Sequence, residues 1–382
     1  MQDKNKDDEK ELIDLDENGN ANDKKEEKKN KTSENYKYII LVVLLLLLGF
    51  ICFFCFHTKS KRSAFDETKL KNLKLKNRFF YGAEHDSAFS NGKFTEKAFK
   101  KIENIAQKDV SFFITGGAIV GDIDKTRIGG KELLRLDKDD FLEEHKKFVD
   151  HAHKNNLYII IQLGHLGLMS GEDIIYSPSV NKAFFEDRNS VEMTKEDIQR
   201  VENDYVQAAI RAKKVGYDGI NIQEGHLGLP ELFLSRKYNR RTDEYGGSFE
   251  NRSRFIIEII RKVREAVGNN ILLTFKLDSE GIEDTVDENE FYTLGKMAEE
   301  AGIDLIEVSG NNYRQKKGDD LLYYNATKKL AEMVKIPVAL IGGVKRLEQV
   351  NFALSDSKIE YFGIVRALMK DPQLIKKWKS QE

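Results

Sequence analysis

The sequence predicts an α/β fold, a (β/α)8 TIM barrel, and three observations favour it. Short apolar runs alternate with amphipathic stretches from Leu75 onward, as in folds built from repeated βα units. Several of these runs are continuously apolar, which is typical of parallel strands covered on both faces. Eight runs occur in roughly 310 residues, and that number matches the barrel.

The predicted elements follow from these patterns. The eight predicted strands are Arg78–Gly82, Val110–Thr115, Tyr158–Leu163, Gly219–Gln223, Ile271–Lys276, Leu305–Ser309, Pro337–Ile341 and Tyr361–Val365. The clearest amphipathic helices are predicted at Phe141–Asn155, Val201–Val215, Phe249–Val267 and Asn289–Ala301. A doubly wound sheet is the alternative, but neither GxGxxG after the first strand nor GxxxxGK[ST] anywhere supports it. The barrel is assigned to residues 69–382.

The first 68 residues have a different character. Residues 1–37 carry 12 acidic and 9 basic side chains and almost nothing apolar, which predicts a disordered charged tail. Tyr38–Phe56 contains no charge and, at about 1.5 Å per residue, spans roughly the hydrocarbon thickness of a bilayer. A polar leader this long argues against a signal peptide. We expect an uncleaved transmembrane helix at 38–56 in the lipid bilayer, followed by a linker at 57–68.

Composition narrows the chemistry of the barrel. The net charge of −2 gives no indication of a nucleic-acid partner. Both cysteines, Cys52 and Cys55, lie inside the apolar run. The predicted barrel therefore has no disulfide, iron–sulfur cluster or cysteine nucleophile. The histidines outside the strand ends show no ligand pattern with carboxylates or cysteines, so no metal site is predicted.

Polar residues at the ends of the predicted strands are the candidate site residues, because barrel active sites lie there. Gln162 can offer both a donor and an acceptor to a heterocycle. Gln223 and His226 end the fourth strand and begin the following loop. Lys276 lies in an apolar strand, where a cation needs an anionic partner to offset its desolvation.

The last two strands suggest a phosphate site. Barrels commonly bind phosphate between the loops that follow strands seven and eight. Gly342 and Gly343 end the seventh strand and allow a close backbone approach. Val365 and Arg366 end the eighth strand, and the guanidinium adds a bidentate charge.

Together these motifs resemble the Old Yellow Enzyme family, over about 310 of the 382 residues. The motifs, in the family's order, are Lys76-Asn77-Arg78, Gln162-Leu163-x-His165, Gln223–His226, Phe233-Leu234-Ser235, Asn239–Ser248, Gly342-Gly343 and Arg366-Ala367-Leu368 through Asp371-Pro372. The resemblance implies a barrel that binds FMN without covalent attachment. It also implies transfer of hydride from NADH or NADPH to a small electron-poor acceptor, a quinone or an activated alkene.

The resemblance also implies residue roles. Gln162 matches the residue at the flavin pyrimidine edge, and Lys276 matches the cation near N1 and the C2 carbonyl. Gln223 and His226 match the catalytic pair that holds the acceptor's oxygen. The other implied cofactor-binding positions are Gly82, Ala83, Glu84 and His85 after strand one, Gly116 beside the flavin, and Gly342, Gly343, Val365 and Arg366 at the phosphate.

Four departures from the family pattern concern the acceptor side. Gln223 replaces the usual His, Leu227 the usual Gly, and Gly228 the Tyr that usually protonates the substrate. The loop after the first strand, usually Ala-Pro-Met followed by Thr or Cys, reads Gly82-Ala83-Glu84-His85, so Glu84 replaces the usual Met. His226, His85 or water would then have to supply the proton.

Two alternatives remain open on the sequence alone, and a third is excluded. The first is a catalytically degenerate, membrane-tethered flavin-binding or scaffold protein. The second is an FMN barrel of the dihydroorotate dehydrogenase kind, against which the Asn239–Ser248 run argues. The absence of barrel cysteines excludes the iron–sulfur dienoyl-CoA reductase branch. Oligomerisation is possible. Lysines flank the apolar run equally, and we expect the barrel on the cytoplasmic side, where reduced nicotinamides are held.

Overall fold

The computed structural model describes residues 36–37, 39–48, 62–84, 88–90, 93–121, 134–170, 174–185, 187–281, 285–311 and 320–382. Compact packing divides the chain into two units, Met1–Lys61 and Arg62–Glu382. His85 and most of the predicted tail and linker lie outside the described residues.

The described part of the first unit is helical at 39–48. Its side chains are apolar, and between 48% and 68% of each is exposed. Tyr38 and residues 49–56 of the predicted transmembrane segment lie outside the described residues. Within the described part of the chain, no helix combines the length and apolar character needed to cross a membrane.

The second unit is a closed barrel of eight parallel strands, which confirms the predicted fold. The strands are β1 (Phe79–Tyr81), β2 (Phe112–Ile119), β3 (Tyr158–Gly164), β4 (Gly219–Gln223), β5 (Leu272–Asp278), β6 (Leu305–Ser309), β7 (Val338–Ile341) and β8 (Tyr361–Gly363). Each strand pairs with the next, and β8 pairs with β1 through Phe362 and Phe79. The carboxyl ends of all eight strands therefore meet at one rim of the barrel.

Helices alternate with these strands along the chain. They are α1 (Glu96–Ala106), α2 (Leu142–Lys154), α3 (Lys195–Val215), α4 (Phe249–Val267), α5 (Glu288–Glu300), α6 (Tyr324–Met333), α7 (Leu347–Asp356) and α8 (Arg366–Lys370). All four predicted helices are present. Helix α3 begins six residues before its predicted start, because Thr194 and Asp197 form a capping box ahead of the apolar periodicity.

Strand β2 continues past the predicted end at Thr115. A bulge between Ile114 and Gly117 shifts its register against β3. The Thr115 hydroxyl accepts a hydrogen bond of 3.1 Å from the Gln162 backbone N–H, which satisfies this donor at the bulge. The bulge places Gly116 and Gly117 beside the rim.

Side chains that point into the barrel change character along its axis. An apolar layer fills the barrel near the start of the strands: Phe80, Phe112, Ile160, Leu272, Leu305, Ala339 and Tyr361. Leu70, Leu73 and Leu75 of an N-terminal hairpin pack in the same cluster and close that end. The outer faces of the strands pack against the helices in a larger core. Apolar side chains thus fill the barrel at the amino ends of the strands, and the rim at their carboxyl ends is left for polar chemistry.

The long polar run after the fourth strand, Asn239–Ser248, makes structural contacts. The Arg241 guanidinium is buried and donates to the carbonyls of Pro178 and Met193 while it pairs with Asp243. Ser248 caps α4 by accepting from the Asn251 N–H at 3.3 Å. These contacts fasten the segment that joins β4 to α4.

Candidate active site at the rim of the barrel

Alternation along the strands brings a set of polar side chains together above the apolar layer. Successive strand residues face opposite sides, so residues two positions beyond an inward Leu or Ile also face inward. The inward positions that follow the apolar layer are Gln162 on β3, Asn221 and Gln223 on β4, Thr274, Lys276 and Asp278 on β5, and Glu307 and Ser309 on β6. The structure thus gathers three sequence-predicted residues, Gln162, Gln223 and Lys276, in one region.

Gln162 is held by a chain of side-chain hydrogen bonds. Its Nε2 donates to Asn221 Oδ1 at 2.8 Å, and Asn221 Nδ2 donates to Thr274 Oγ1 at 2.8 Å. All three side chains are buried, and the strand registers align them across β3, β4 and β5. Because Nε2 is engaged below, Gln162 is fixed in one amide orientation.

Lys276 is a buried cation whose neighbour is a buried carboxyl group. Lys276 is only 5% exposed, and its side-chain ammonium forms no hydrogen bond or salt bridge with any residue that the structure describes. Its backbone carbonyl accepts the Glu224 N–H at 3.1 Å. Glu307 is the partner of Lys276 in the β5–β6 register and is fully buried, and no residue in the described part of the chain forms a hydrogen bond with either of its carboxyl oxygens. Burial raises the pKa of Glu307 above its ordinary value, against the opposing charges of Lys276 and His226. This arrangement leaves a cation that a ligand with negative charge could compensate.

His226 is coupled to Asp278, which the sequence analysis did not single out. Its Nδ1 lies 2.8 Å from Asp278 Oδ2, and the same oxygen accepts the His226 backbone N–H at 3.2 Å. Asp278 is buried, whereas the His226 side chain is 26% exposed. A Cβ at Gly225 would lie 2.1 Å from Asp278 Oδ2. Glycine at 225 is therefore what lets the carboxylate reach the imidazole.

The turn that carries His226 is strained and is held by carboxylates. His226 and Leu227 have φ values of +63° and +65°, in the left-handed region, which costs roughly 1–2 kcal/mol per non-glycine residue. Glu231 Oε2 accepts the Leu227 N–H at 2.6 Å. Leu227 replaces the family's glycine at this position, so a side chain occupies a conformation that glycine adopts freely.

A second buried carboxyl group lies behind Asp278. Glu224 Oε2 accepts the Asp278 backbone N–H at 3.1 Å. Burial, with the nearby charges of Glu231 and Asp278, raises the pKa of Glu224 well above its ordinary value. Across the described residues, the acidic and histidine side chains form no group of three arranged to hold a metal ion.

Gln223 turns its amide along the rim. Its Nε2 donates to the Gly225 carbonyl at 3.0 Å. Its Oε1 lies 3.7 Å from the position of a Cβ on Gly117, and the Oε1 of Gln162 lies 3.8 Å from the same position. The two glutamines thus converge over the bulge of β2.

The loop after β1 explains the position of Glu84. Its carboxylate pairs with Lys101 of α1 at 2.7 Å and accepts the Tyr81 hydroxyl at 3.0 Å. A Cβ on Gly116 would lie 2.7 Å from the Glu84 carbonyl oxygen. Ala83 packs against the apolar layer inside the barrel. The negative charge of Glu84 is therefore balanced by the ammonium group of Lys101 on α1.

The predicted phosphate positions lie together at the end of β7 and β8. Gly342 and Gly343 have φ values of +135° and +80°. A Cβ on Gly343 would lie 2.3 Å from the Asp320 carbonyl oxygen, so this close packing is by itself enough to require glycine at 343. Arg366 is the first residue of α8. Val365 Cγ2 lies 3.4 Å from the position of a Cβ on Gly82, which joins this end to the β1 loop.

Gly228 is the position at which the resemblance implies a proton-donating tyrosine. It caps the short helix Leu229–Leu234 with φ −68° and ψ 163°, a conformation open to any residue. A Cβ would lie 3.2 Å from the His165 carbonyl oxygen, a tight contact. The backbone thus permits a side chain here that the sequence does not supply.

Asp278, Glu224, Glu307 and Asn221 are the site residues that sequence reasoning missed. A signal was present in the strands. Polar residues recur at every second position in β4 and β5, as in Asn221 and Gln223, and Lys276 and Asp278. That period marks one face of a strand.

Comparison with known proteins decides the family. Residues 63–382 match the family model described as NADH:flavin oxidoreductase / NADH oxidase.

The chain belongs to the NADH:flavin oxidoreductase / NADH oxidase family.

The curated relatives differ in length. An NADH oxidase of Thermoanaerobacter brockii is 30% identical over 259 residues, which are 64% of this chain and 40% of that protein. An NADPH dehydrogenase of Bacillus subtilis (strain 168) is 28% identical over 316 residues, which are 81% of this chain and 92% of that protein. The chain spans less than half the length of the first relative and most of the second.

Solved structures agree on the fold. The barrel superposes on 2-naphthoyl-CoA reductase with a TM-score of 0.76 and 23% identity, covering 84% of this chain and 52% of that one. It superposes on morphinone reductase in complex with tetrahydroNAD with a TM-score of 0.71 and 20% identity, covering 84% and 91%. The predicted resemblance is confirmed at the level of family and barrel.

Proposed function

We propose that this barrel binds FMN at its rim and acts as an NAD(P)H oxidoreductase that reduces a small electron-poor acceptor, a quinone or an activated alkene. The observation that carries the proposal is Lys276, a buried cation opposite Gln223 in the strand register and on the same rim of the barrel as Gln162. Family membership supports the cofactor, and relatives described as NADH oxidase and NADPH dehydrogenase support the reductant.

The residues present fit a flavin. A cation with no hydrogen-bonded partner in the described part of the chain carries a desolvation cost that an electron-rich ring edge would offset. Gln162, fixed by Asn221, can meet the amide edge of that ring. Gly342, Gly343, Val365 and Arg366 would hold the phosphate, and Gly82, Ala83, Gly116 and the loop through Glu84 and His85 would border the ring. Bound FMN would supply hydride transfer from NAD(P)H to the acceptor.

The protein's own contribution is electrostatic and positional. Lys276 places positive charge where negative charge develops on reduction, and the buried setting strengthens its effect. Gln223 and His226 would hold the acceptor's oxygen. An unpaired acidic side chain at position 84 would favour the alternative of a degenerate scaffold. The Glu84 carboxylate instead pairs with Lys101 of α1, so it does not face the ring as a free charge.

The full-length chain, purified in detergent, tests the proposal. We expect flavin absorbance that is released as FMN on denaturation and is bleached by NADPH or NADH without oxygen. Lys276→Met should lower the flavin midpoint potential, whereas Lys329→Met, at a solvent-exposed lysine of α6, should leave it unchanged. A protein that takes up no FMN in a titration rules out the function. An unchanged potential in Lys276→Met with FMN bound rules out the role of Lys276.

We also propose that residues 38–56 tether the enzyme to a membrane as a single span, with the barrel on the cytoplasmic side. The uncharged sequence supports this, as does the exposure of the apolar side chains at 39–48. The cytoplasmic assignment rests on the supply of reduced nicotinamide.

A further inference from the structure

The pairing of His226 with Asp278 bears on the proton that the acceptor needs, because Gly228 leaves no phenol at the family's donor position. Asp278 belongs to β5, follows Lys276 by two residues on the same face, and is fully buried. His226 belongs to the turn after β4. Two hydrogen bonds join them, and Gly225 is shaped to allow the approach. The contact comes with left-handed backbone conformations at His226 and Leu227, and such strained conformations cluster at functional sites.

The hydrogen bond decides which ring nitrogen can work on the acceptor. A carboxylate oxygen accepts, so the Nδ1 atom of His226 carries a proton toward Asp278. The other nitrogen, Nε2, lies on the side of the ring away from the Asp278 contact, and the His226 side chain as a whole is 26% exposed. A protonated imidazole held this way presents Nε2–H as an acid, and the buried carboxylate stabilises its positive charge.

We propose that His226 is the acid that protonates the acceptor's oxygen, and that Asp278 is the positioning residue that orients its imidazole. The inference rests on the proposed function. In the reduction of an enone, the hydride that originates in NAD(P)H adds to the β-carbon, and the electron pair of the C=C bond shifts to the carbonyl oxygen. The Nε2–H bond then breaks as the O–H bond of an enol forms.

The step balances with water as the final proton source. His226 is left neutral and regains a proton from solvent through its exposed edge, and the enol becomes the ketone in water. The net reaction consumes one NAD(P)H and one proton per enone. Protonation on oxygen needs no group opposite the hydride, so it accommodates glycine at 228. The charged groups packed around this turn are Asp278 and Lys276 on β5, Glu307 on β6, and Glu224 and Glu231 on either side of His226.

The experiment compares two acceptors in the full-length, FMN-loaded chain. Cyclohexenone needs a proton, whereas ferricyanide takes only electrons. We expect His226→Gln and Asp278→Asn to slow reduction of cyclohexenone by about 100-fold or more, the typical loss on removing a positioned acid. Reduction of ferricyanide should fall far less than reduction of cyclohexenone, and retained FMN absorbance reports that each variant is folded.

His153→Gln is the matched control. His153 Nε2 lies 2.9 Å from Asp218 on the outside of the barrel, so this variant also removes a histidine paired with an aspartate. It should reduce both acceptors at the wild-type rate. With 2-methylcyclohexenone, the wild-type product should be racemic at the α-carbon, because that proton arrives from water after the enol leaves the site.

Nitrogen-15 NMR of labelled histidines gives a readout that needs no turnover. The His226 signals, assigned by their absence in His226→Gln, should show Nδ1 protonated above neutral pH, and Asp278→Asn should shift the tautomer toward Nε2–H. Wild-type rates with cyclohexenone in both variants would overturn the assignment of His226, and so would a single enantiomer of 2-methylcyclohexanone. Ferricyanide reduction in the same preparations would still uphold the oxidoreductase. Failure of the wild type to be reduced by NAD(P)H would instead overturn the proposed function, and this inference with it.

Discussion

Individual glycines at this site are fixed by what approaches their missing side chains. At Gly225 the obstacle would be the Asp278 carboxylate, and at Gly116 it would be the Glu84 carbonyl. A carboxylate can rotate away, but a backbone carbonyl cannot move without its loop. Gly117, the next residue, has nothing closer to a Cβ than 3.7 Å. Neighbouring glycines of β2 therefore differ in the reason for their presence.

Alanine substitutions at these two glycines should separate the two situations. We expect Gly116→Ala to lower the free energy of unfolding by about 1–3 kcal/mol, because the new methyl group forces the β1 loop to shift. Gly117→Ala should change it by less than about 1 kcal/mol. Urea denaturation of the fragment 62–382 measures both. Equal effects would mean that the β1 loop yields without cost.

At the scale of elements, the helices outside the barrel contain a buried acid that is separate from the rim. Glu202 of α3 is fully buried and pairs with Lys262 of α4 through one oxygen, and its other oxygen has no hydrogen bond from the residues that the structure describes. Burial is the main cause that raises the pKa of Glu202 to about 7, and Glu258 adds to it against the opposing charge of Lys262. The α3–α4 contact thus contains a carboxyl group that favours its protonated form.

This contact should make the stability of the barrel depend on pH. Because the pKa of Glu202 is raised by folding, its contribution is fully present below the ordinary value near 4.5 and is lost as pH rises through about 7. We expect Glu202→Gln to gain about 1–3 kcal/mol in unfolding free energy relative to wild type between pH 5 and pH 8.5. Glu265→Gln, an exposed acid of α4, should show no such gain. Parallel pH profiles for wild type and Glu202→Gln would contradict the assignment.

At the scale of the whole molecule, an apolar segment precedes a barrel whose hydrophobic core is built from the barrel's own residues. The barrel closes its N-terminal end with Leu70, Leu73 and Leu75. In the first unit, the apolar side chains at 39–48 are between 48% and 68% exposed. An apolar surface of this kind, continuing in sequence to Phe56, is what a bilayer would cover.

The tether is tested by extraction from membranes. We expect the full-length chain to stay with membranes in alkaline carbonate, and the fragment 62–382 to be released. Leu45→Arg combined with Leu46→Arg should weaken the association, since each charge costs about 2.5–3.5 kcal/mol at the centre of a span. The control is Leu45→Ile with Leu46→Ile, which preserves the apolar character. Full-length wild type in the supernatant would defeat the proposal.

The sequence by itself determined the fold class, the eight strands, four of the helices α1–α8 and the family, because apolar periodicity and sequence motifs can be read directly along the chain. It also placed Gln162, Gln223 and Lys276 at strand ends. Only the tertiary structure decided that Asp278 meets His226 across 52 residues of chain, and that Glu307 lies beside Lys276. Such pairs depend on sheet register, which sets side chains of separate strands against one another. The left-handed turn at His226 and Leu227 was equally hidden, since its strain is held by the distant carboxylate of Asp278 and by that of Glu231 in the next helix.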